Sequence, residues 1–315
     1  MSDLRIIGDI GGTNARFAIA RGGSYSHVAR LEDSKYPTIQ EALRDYLRGL
    51  PSDAHPRQGA LAIAGPVSGD TVKLTNQSWS FSTKALKSEL QLSQLVVVND
   101  FVGTAMSVPH LPPKDRQLVG SAAPTDSGAI GVIGPGTGLG VSTLVRSASG
   151  WIVLPGEGGH ATMCGASDEE DRILDILRAR WPHVSAERVL SGGGIVNLYE
   201  TICSLRGEIP DSLAPAEISH RALHGTDYAC VQAIGHFFAM LGTVAGNLAL
   251  TVGATGGVYI AGGIVLRLKE AFEVSRFRER FEEKGRLRPY LRKIPTYLIL
   301  EETPALLGLA NLPLT

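Results

Sequence analysis

The chain has 315 residues, a formal net charge of −1 and 43% hydrophobic residues, with 30 basic and 31 acidic side chains. A domain averages roughly 150 residues, so this length indicates two domains, each large enough for its own core. The charge contains no block of one sign, which argues against a nucleic-acid surface or an anionic-membrane surface. Three cysteines without a Cys-x-x-Cys pair are typical of a reducing compartment, so we expect a cytoplasmic protein.

Strands and helices alternate in the first third of the chain. LRIIGD predicts a strand, GGT a turn and NARFAIAR a second strand. A helix over Thr38–Arg48, a strand in ALAIAGP, a helix over Ser82–Leu90 and a strand in LVVVND follow. That last strand ends on Asn99 and Asp100, and a buried carboxylate is costly unless it is paired or used. We therefore expect Asp100 at the carboxyl end of a strand, at the rim of a cleft, where it orients a substrate hydroxyl.

A second strand–glycine turn–strand unit, AIGVIG, PGTG and LGVSTLVR, lies about 125 residues after the first. The two units predict two related α/β halves facing each other, and the proline-rich stretch Pro109–Asp115 reads as a linker or hinge. SDEEDRILDILRARW predicts a helix with Ser167 as N-cap and Glu170 completing a capping box. We expect a further amphipathic helix over about Leu266–Lys284, and a final helix in PALLGLANL that docks on the first domain.

One apolar stretch, Phe237–Leu266, carries no Asp, Glu, Lys or Arg and is long enough to span a membrane. It also contains Asn247 and two Gly-Gly pairs, which interrupt a membrane helix. We predict instead a buried helix through about Thr251, a glycine turn and a short strand at Val258–Ala261. The N-terminal sequence has no basic stretch followed by a long apolar run, so no signal peptide is expected.

The first glycine motif, GDIGGT at Gly8–Thr13, joins two predicted strands. Glycines allow backbone N–H groups to approach phosphate oxygens, and the Thr13 hydroxyl adds a donor. Asp9 at the strand end suits a magnesium ion, directly or through water. An ordinary hairpin turn would have the same residues, and the sequence leaves both interpretations open.

The second motif, GPGTGLG at Gly134–Gly140, could hold the opposite side of a polyphosphate with Thr137. It fits neither Gly-x-Gly-x-x-Gly nor the Walker pattern, so a nucleotide would be held by a hairpin cradle. In GGVYIAGGIV, Gly262 and Gly263 could leave room for a flat base against bare backbone, although close helix–strand packing would also explain them. No lysine or arginine stands out as a phosphate ligand.

The PGEGGHA motif contains a formal Gly-x-Gly-x-x-Ala at Gly156–Ala161, but Glu157 would face a pyrophosphate and no clear helix starts there. Glu157 as an acceptor and His160 as donor or acceptor suit neutral hydroxyl groups better. His160 with Cys164 supplies too few ligands for a metal.

Glu187 lies in VSAERVLSGGGIVNLY, where we predict a helix that begins at Ser185 and Glu187. A glutamate in a first helical turn stabilises the helix dipole. That role and a role in ligand binding both remain open from the spacing.

Eight blocks in chain order together resemble the ATP-dependent bacterial glucokinases of the hexokinase–actin–chaperone ATPase superfold: DIGGTNAR, AIAGPVSGD, TNQSW, VVNDF, GPGTGLGVS, LPGEGGH, SAERVLSGGGIVNLY and GGVYIAGGIV. The resemblance implies an α/β, two-domain actin-like ATPase (ribonuclease H-like) fold with a cleft between the domains. The small domain would comprise residues 1–110 plus about 301–315, and the large domain residues 111–300.

The resemblance also implies a reaction, phosphorylation of D-glucose at its 6-hydroxyl by ATP with Mg²⁺, and assigns residues to it. Asp100 would be the catalytic base. Sugar hydroxyls would be bound by Asn99, Asp100, Glu157, His160 and Glu187. ATP phosphates would be bound by Gly8, Asp9, Ile10, Gly11, Gly12, Thr13, Gly136, Thr137 and Gly138, with Asp9 on the metal side. Gly262 and Gly263 would face the adenosine.

The chain departs from related patterns after its Gly-Gly-His motif. Many glucokinases continue with Asp-Phe-Ala-Pro, where this chain has ATMCGAS. The related repressor–kinase group has a cysteine-rich zinc site there, but only Cys164 is present, so we predict no structural zinc. A DNA-binding domain ahead of the first phosphate strand is not expected, since that strand begins by about Leu4.

The alternatives are a kinase for another hexose or an amino-sugar, a non-catalytic sugar-binding module on the same fold and, more distantly, a dinucleotide enzyme. A homodimer is compatible with the family.

Overall fold

The computed structural model describes residues 4–51, 55–65, 67–74, 79–123 and 128–314. The chain divides into two compact units: a first unit of Met1–Pro112 with Glu301–Thr315, and a second unit of Pro113–Leu300. Four residues of the predicted TNQSW block, 75–78, and Pro66 of AIAGPVSGD lie outside the described residues.

Strands and helices alternate along both units. The strands are β1 (Arg5–Ile10), β2 (Asn14–Arg21), β3 (Ser24–Glu32), β4 (Gln58–Ile63), β5 (Thr71–Lys73), β6 (Ser80–Ser82), β7 (Gln94–Asn99), β8 (Arg116–Val119), β9 (Ile130–Pro135), β10 (Leu139–Ser147), β11 (Gly150–Gly156), β12 (Gly257–Ile260) and β13 (Thr296–Ile299). The α-helices are α1 (Ile39–Arg48), α2 (Thr83–Glu89), α3 (Asp100–Ser107), α4 (Asp168–Arg180), α5 (Gly192–Leu205), α6 (Pro215–Leu223), α7 (Tyr228–Val252), α8 (Gly263–Arg267), α9 (Lys269–Glu273), α10 (Phe277–Glu282), α11 (Arg288–Arg292) and α12 (Pro304–Asn311).

The main sheets of the two units share one topology. The first has strand order β3-β2-β1-β4-β7, and the second has β11-β10-β9-β12-β13-β8. In each, three antiparallel strands are continued by two parallel strands, which run in the same direction as β1 in the first unit and β9 in the second. Strand β8 adds an antiparallel edge to the second sheet. The prediction of two related α/β halves is confirmed.

The first unit has its core around β1, whose Ile6, Ile7 and Ile10 are buried. Thr38 caps α1 by accepting a hydrogen bond from the Glu41 N–H at 3.3 Å, as helix N-caps do. The C-terminal helix α12 packs against α3 and β1. Docking of the last helix on the first domain, as predicted from its apolar sequence, is confirmed.

The second unit is built around α7, a 25-residue helix that contains no Asp, Glu, Lys or Arg. It is the one helix in the described part of the chain that is long and apolar enough to cross a membrane, and 72% of its apolar window is buried within the unit. Gly253 ends it in a left-handed conformation, and β12 follows. The helix is therefore a core element, as the glycine pairs after it predicted.

Helix α4 begins as predicted, but its capping box is incomplete. The Ser167 hydroxyl accepts from the Glu170 N–H at 3.3 Å. The Glu170 carboxylate does not return to Ser167; it accepts from the Ala166 N–H at 2.8 Å and from two Arg280 nitrogens at 2.6 and 2.9 Å. Because Glu170 and Arg280 are both buried, the carboxylate pairs with the cation, and the predicted box is wrong in its second half.

The single helix predicted over about Leu266–Lys284 is wrong, since three short helices, α8, α9 and α10, occupy this stretch. The Ser275 hydroxyl donates to the Phe272 carbonyl at 2.7 Å and accepts from the Phe277 N–H at 3.2 Å. One serine thus ends α9 and starts α10, a local competition with the helix ladder that amphipathic periodicity does not detect.

Candidate active site

The carboxyl ends of three parallel strands meet at one edge of the first-unit sheet. Ile10 of β1 pairs with Ile63 of β4, and Ile63 pairs with Asn99 of β7. Neighbouring strands are about 4.8 Å apart, so the end of β1 and the end of β7 lie about 10 Å apart across β4. The GDIGGT turn and Asp100 therefore share one edge of the sheet.

Asp100 stands at a direct strand-to-helix junction. Asn99 ends β7 and caps α3, because its Oδ1 accepts from the Phe101 N–H at 2.9 Å. Its Nδ2 donates to the Gly65 carbonyl at 3.1 Å, and Asp100 Oδ1 also accepts from Phe101 at 2.9 Å. Secondary structure on both sides thus holds the carboxylate. The predicted position of Asp100 at the end of a strand is confirmed, whereas its catalytic role stays a prediction.

Asp9 on β1 lies directly across the hairpin from Arg16 on β2. The Arg16 Nη1 is 3.5 Å from the Asp9 Oδ2. Burial raises the pKa of the Asp9 carboxyl, and the charge and hydrogen bond of Arg16 oppose that rise. Sequence reasoning missed Arg16, although the register of a tight hairpin after Asp9 could have found it.

A second guanidinium group flanks the same turn. Arg30 Nε donates to Asn14 Oδ1 at 3.0 Å, and Asn14 Nδ2 donates to the Thr13 hydroxyl at 3.0 Å. These three residues help to line a cavity of about 590 Å³. The position of Arg30 could not be predicted from the sequence. The pairing of β2 with β3 shifts register between Phe17 and Ile19, so counting residues back from the hairpin turn does not give the residue opposite Arg16.

The first turn offers one carboxylate, that of Asp9, for a divalent cation. In the described ranges no group of three or more His, Cys, Asp or Glu side chains could hold a metal ion. Mg²⁺ is commonly bound by one or two carboxylates and completed by water and substrate phosphates. Asp9, at the end of β1 beside the glycine turn, fits that kind of site.

The second-unit sheet repeats this arrangement with the Gly136–Gly138 turn between β9 and β10. The turn closes through the Gly136 N–H and the Gly138 carbonyl at 2.7 Å. Gly262, which follows β12, has a φ of 98°, and a Cβ there would lie 2.3 Å from the Pro135 carbonyl oxygen. Only glycine fits this position. The short distance to Pro135 also shows that the predicted phosphate motif and the predicted adenosine motif lie against each other.

Glu157 and His160 lie on a short turn after β11. Their side chains are 74% and 61% exposed, with His160 Nε2 4.0 Å from Glu157 Oε2. A Cβ on Gly159 would lie 2.1 Å from the Leu139 carbonyl oxygen, so this turn packs directly on the start of β10. The two side chains are therefore held close to the Gly136–Gly138 turn and are exposed to solvent.

The helix predicted to begin at Ser185 and Glu187 is only a single 3₁₀ turn there, so the expectation of a longer helix from this point is wrong. Glu187 lies in this 3₁₀ turn, Ala186–Arg188, and α5 begins at Gly192 with Ser191 as its cap. The Glu187 Oε2 accepts instead from the Leu139 N–H at 2.8 Å. Stabilisation of a first α-helical turn is therefore not what this carboxylate does.

Backbone hydrogen bonds join these segments into one second-unit cluster, which we define as residues 136–139, 157–160 and 187–192. The bonds run from Ala186 N to Ala161 O, from Met163 N to Val184 O and from Gly192 N to Gly136 O, each 2.9 Å long. The predicted sugar residues of this unit and its predicted phosphate turn are thus brought together.

Comparison with known proteins bears on the whole chain. A family model described as glucokinase matches residues 6–314. The chain is 62% identical over 314 residues to the glucokinase of Nitrobacter hamburgensis, covering 100% of this chain and 98% of that protein. The crystal structure of a glucokinase from an Antarctic psychrotroph matches with a TM-score of 0.90 and 36% identity, covering 98% of each chain. Glucokinase from Balamuthia mandrillaris in complex with glucose has the same fold, with a TM-score of 0.80, 22% identity and coverage of 98% and 93%.

The repeated sheet topology, the glycine turns at the sheet edges and these likenesses define a sugar kinase with the two-domain actin-like ATPase fold. Enzymes of this class transfer a phosphoryl group to a sugar hydroxyl. The chain belongs to the glucokinase family, and its reaction is the phosphorylation of glucose. The fold and activity predicted from the eight ordered motifs are confirmed, and a kinase for another sugar or a non-catalytic module is not favoured.

Proposed function

We propose that the chain transfers the γ-phosphoryl group of ATP to the 6-hydroxyl of D-glucose, giving glucose 6-phosphate and ADP. Membership of the glucokinase family identifies glucose as the substrate and phosphorylation as the reaction. The observation that carries the residue roles is the junction at Asp100, which lies on the same sheet edge as the GDIGGT turn.

Asp100 acts as the base for the 6-hydroxyl. A carboxylate with an ordinary pKa of about 4 cannot deprotonate a sugar alcohol in advance. Phosphoryl transfer passes through a loose transition state, so Asp100 aligns the hydroxyl and accepts its proton late. The start of α3 suits this role, because the junction fixes the direction of the side chain.

Glu157, His160 and Glu187 bind further hydroxyl groups of the sugar. Carboxylates accept hydrogen bonds and an imidazole donates or accepts, which matches neutral hydroxyls. Asn99 uses one amide hydrogen on Gly65, and its second is the donor we assign to the sugar.

The two glycine turns bind the phosphates of ATP through their backbone N–H groups. Arg16 and Arg30 flank the first turn and offset phosphate charge there. Mg²⁺ bound beside Asp9 would neutralise charge on the transferred group. Gly262 and Gly263 provide bare backbone for the adenosine. The three cysteines are free thiols, which supports a cytoplasmic location.

ADP release from Mg-ATP, measured without sugar and with glucose, fructose, mannose and N-acetylglucosamine in turn, tests this function. We expect release that depends on glucose. Release with a different sugar alone would show that this sugar is the substrate, and Asp100 would remain the proposed base. Folded protein without any sugar-dependent release would refute the kinase and favour the sugar-binding module.

A further inference from the structure

We propose that Glu187 is a positioning residue that couples glucose binding to nucleotide binding within the second-unit cluster. The same carboxylate belongs to the proposed sugar site and contacts the phosphate turn Gly136–Gly138. This inference rests on the proposed function, whose own failure the experiment below separates from failure of the coupling.

The carboxylate of Glu187 lies directly on the phosphate turn. Its Oε2 accepts from the N–H of Leu139, the residue that follows the turn, at 2.8 Å. A Cβ built on Gly138 would lie 2.4 Å from the same oxygen. The charged end of the side chain therefore supports the last residue of the turn and its exit into β10.

The backbone of Glu187 is fastened on both sides. Before it, the Ala186 N–H donates to the Ala161 carbonyl at 2.9 Å. After it, the Ser191 hydroxyl donates to the Glu187 carbonyl at 2.8 Å, and the Gly192 N–H donates to the Gly136 carbonyl at 2.9 Å. Because this frame is fixed, the part of Glu187 that a ligand can order is its half-buried side chain.

A carboxylate has two oxygens with about four acceptor positions, so the bond to Leu139 leaves capacity for a sugar hydroxyl. A hydroxyl bound there holds Glu187 in its rotamer on Leu139 and so orders the turn before the phosphates arrive. A turn that is already ordered loses less conformational entropy when it binds nucleotide. The hydrogen bonds from the Leu139 N–H and from the sugar hydroxyl also delocalise the negative charge of Glu187, which reduces its repulsion of the phosphates. Both effects make nucleotide bind more tightly when glucose is present, and linkage makes the coupling reciprocal.

The coupling is measured by titrating the protein with Mg-ADP in a calorimeter, without glucose and with saturating glucose. For the wild type we expect glucose to lower the Kd of Mg-ADP about tenfold. For Glu187→Ala, with glucose raised until it saturates, we expect a change of about twofold or less, because the link to Leu139 is gone.

Glu157→Gln is the matched control, since Glu157 is a proposed sugar residue on the neighbouring turn. It should weaken glucose binding and keep the wild-type coupling of glucose to Mg-ADP. If neither Glu157→Gln nor Glu187→Ala changes the Kd of glucose, the proposed sugar site is wrong and the coupling through Glu187 falls with it. If both variants weaken glucose binding and Glu187→Ala keeps the wild-type coupling, only the coupling is wrong.

Gly138→Ala keeps Glu187 and displaces its carboxylate. The φ of Gly138 is not in the left-handed region, and the atom nearest to the new Cβ is the end of a flexible side chain, so the backbone tolerates the change. We expect reduced coupling in this variant and no further reduction in the double variant with Glu187→Ala. This variant decides the matter if Glu187→Ala no longer binds glucose. The proposal is overturned if the wild type shows no coupling, or if a variant that binds glucose keeps the wild-type value.

Discussion

Asp100→Asn is expected to lower kcat about 10²- to 10⁴-fold, the range that a positioned general base contributes. Asparagine keeps the size of the side chain and an oxygen that can accept from the Phe101 N–H, as Asp100 Oδ1 does at 2.9 Å. It cannot take up the proton of the 6-hydroxyl. The KM for glucose should therefore change only a few-fold, and steady-state kinetics with glucose and Mg-ATP measure both constants.

Asp45→Asn is the control for this experiment. Asp45 is an exposed carboxylate on α1 that accepts from the Tyr36 hydroxyl at 2.7 Å, and its replacement should leave kcat within about twofold of wild type. If Asp100→Asn stays within about tenfold of wild type, a barrier change of only about 1.4 kcal/mol, Asp100 is not the base.

Arg280→Met is expected to destabilise the second unit by about 3 to 5 kcal/mol, the cost of breaking a buried ion pair by removing one partner. Arg280 is 3% exposed and Glu170 1% exposed, and the two form a bidentate pair at 2.6 and 2.9 Å. Without the arginine, the buried carboxylate of Glu170 loses its ion-pair partner. The thermal unfolding midpoint of the intact protein measures the loss.

Two further variants test the cause of that loss. Arg276→Met removes an exposed partner of Glu279, and should cost about 0.5 kcal/mol or less. The double variant Glu170→Leu with Arg280→Met removes both buried charges, so it should recover at least half of the stability. The buried-pair account fails if Arg280→Met is no more destabilising than Arg276→Met.

The buried pair also predicts a dependence on pH. Burial by itself would raise the pKa of Glu170, but the hydrogen bonds from Arg280 and Ala166 and the charges of Arg280 and His236 outweigh it and hold the pKa below its ordinary 4.5. A lowered folded-state pKa contributes stability above the unfolded value, and that stability is lost as the pH falls below it. Without Arg280, burial raises the pKa of Glu170 instead, so the difference in midpoint between wild type and Arg280→Met should shrink as the pH falls, beginning above pH 4.5 and continuing below it. A difference that stays constant down to the acid limit of folding would contradict this.

Parts of the fold with short-range signals were predictable. The strand–turn–strand units, the cap at Ser167 and the buried helix before the Gly-Gly pair all follow from periodicity and turn chemistry within a few residues. Two helix predictions were wrong because a local interaction competes with the α-helix in each case. Ser275 divides the predicted helix after Leu266, and a 3₁₀ turn separates Glu187 from α5.

The sequence by itself determined the family, the order of the two halves and the chemistry-bearing residues, because ordered motifs and alternating apolar residues are properties of the linear chain. Only the tertiary structure decided what those residues contact. Glu187 meets Leu139 across 48 positions, Glu170 meets Arg280 across 110, and Arg30 meets Asn14 through a strand pairing with a shifted register. Such contacts depend on sheet register and on which buried charge finds a partner, and both are set when the whole unit packs.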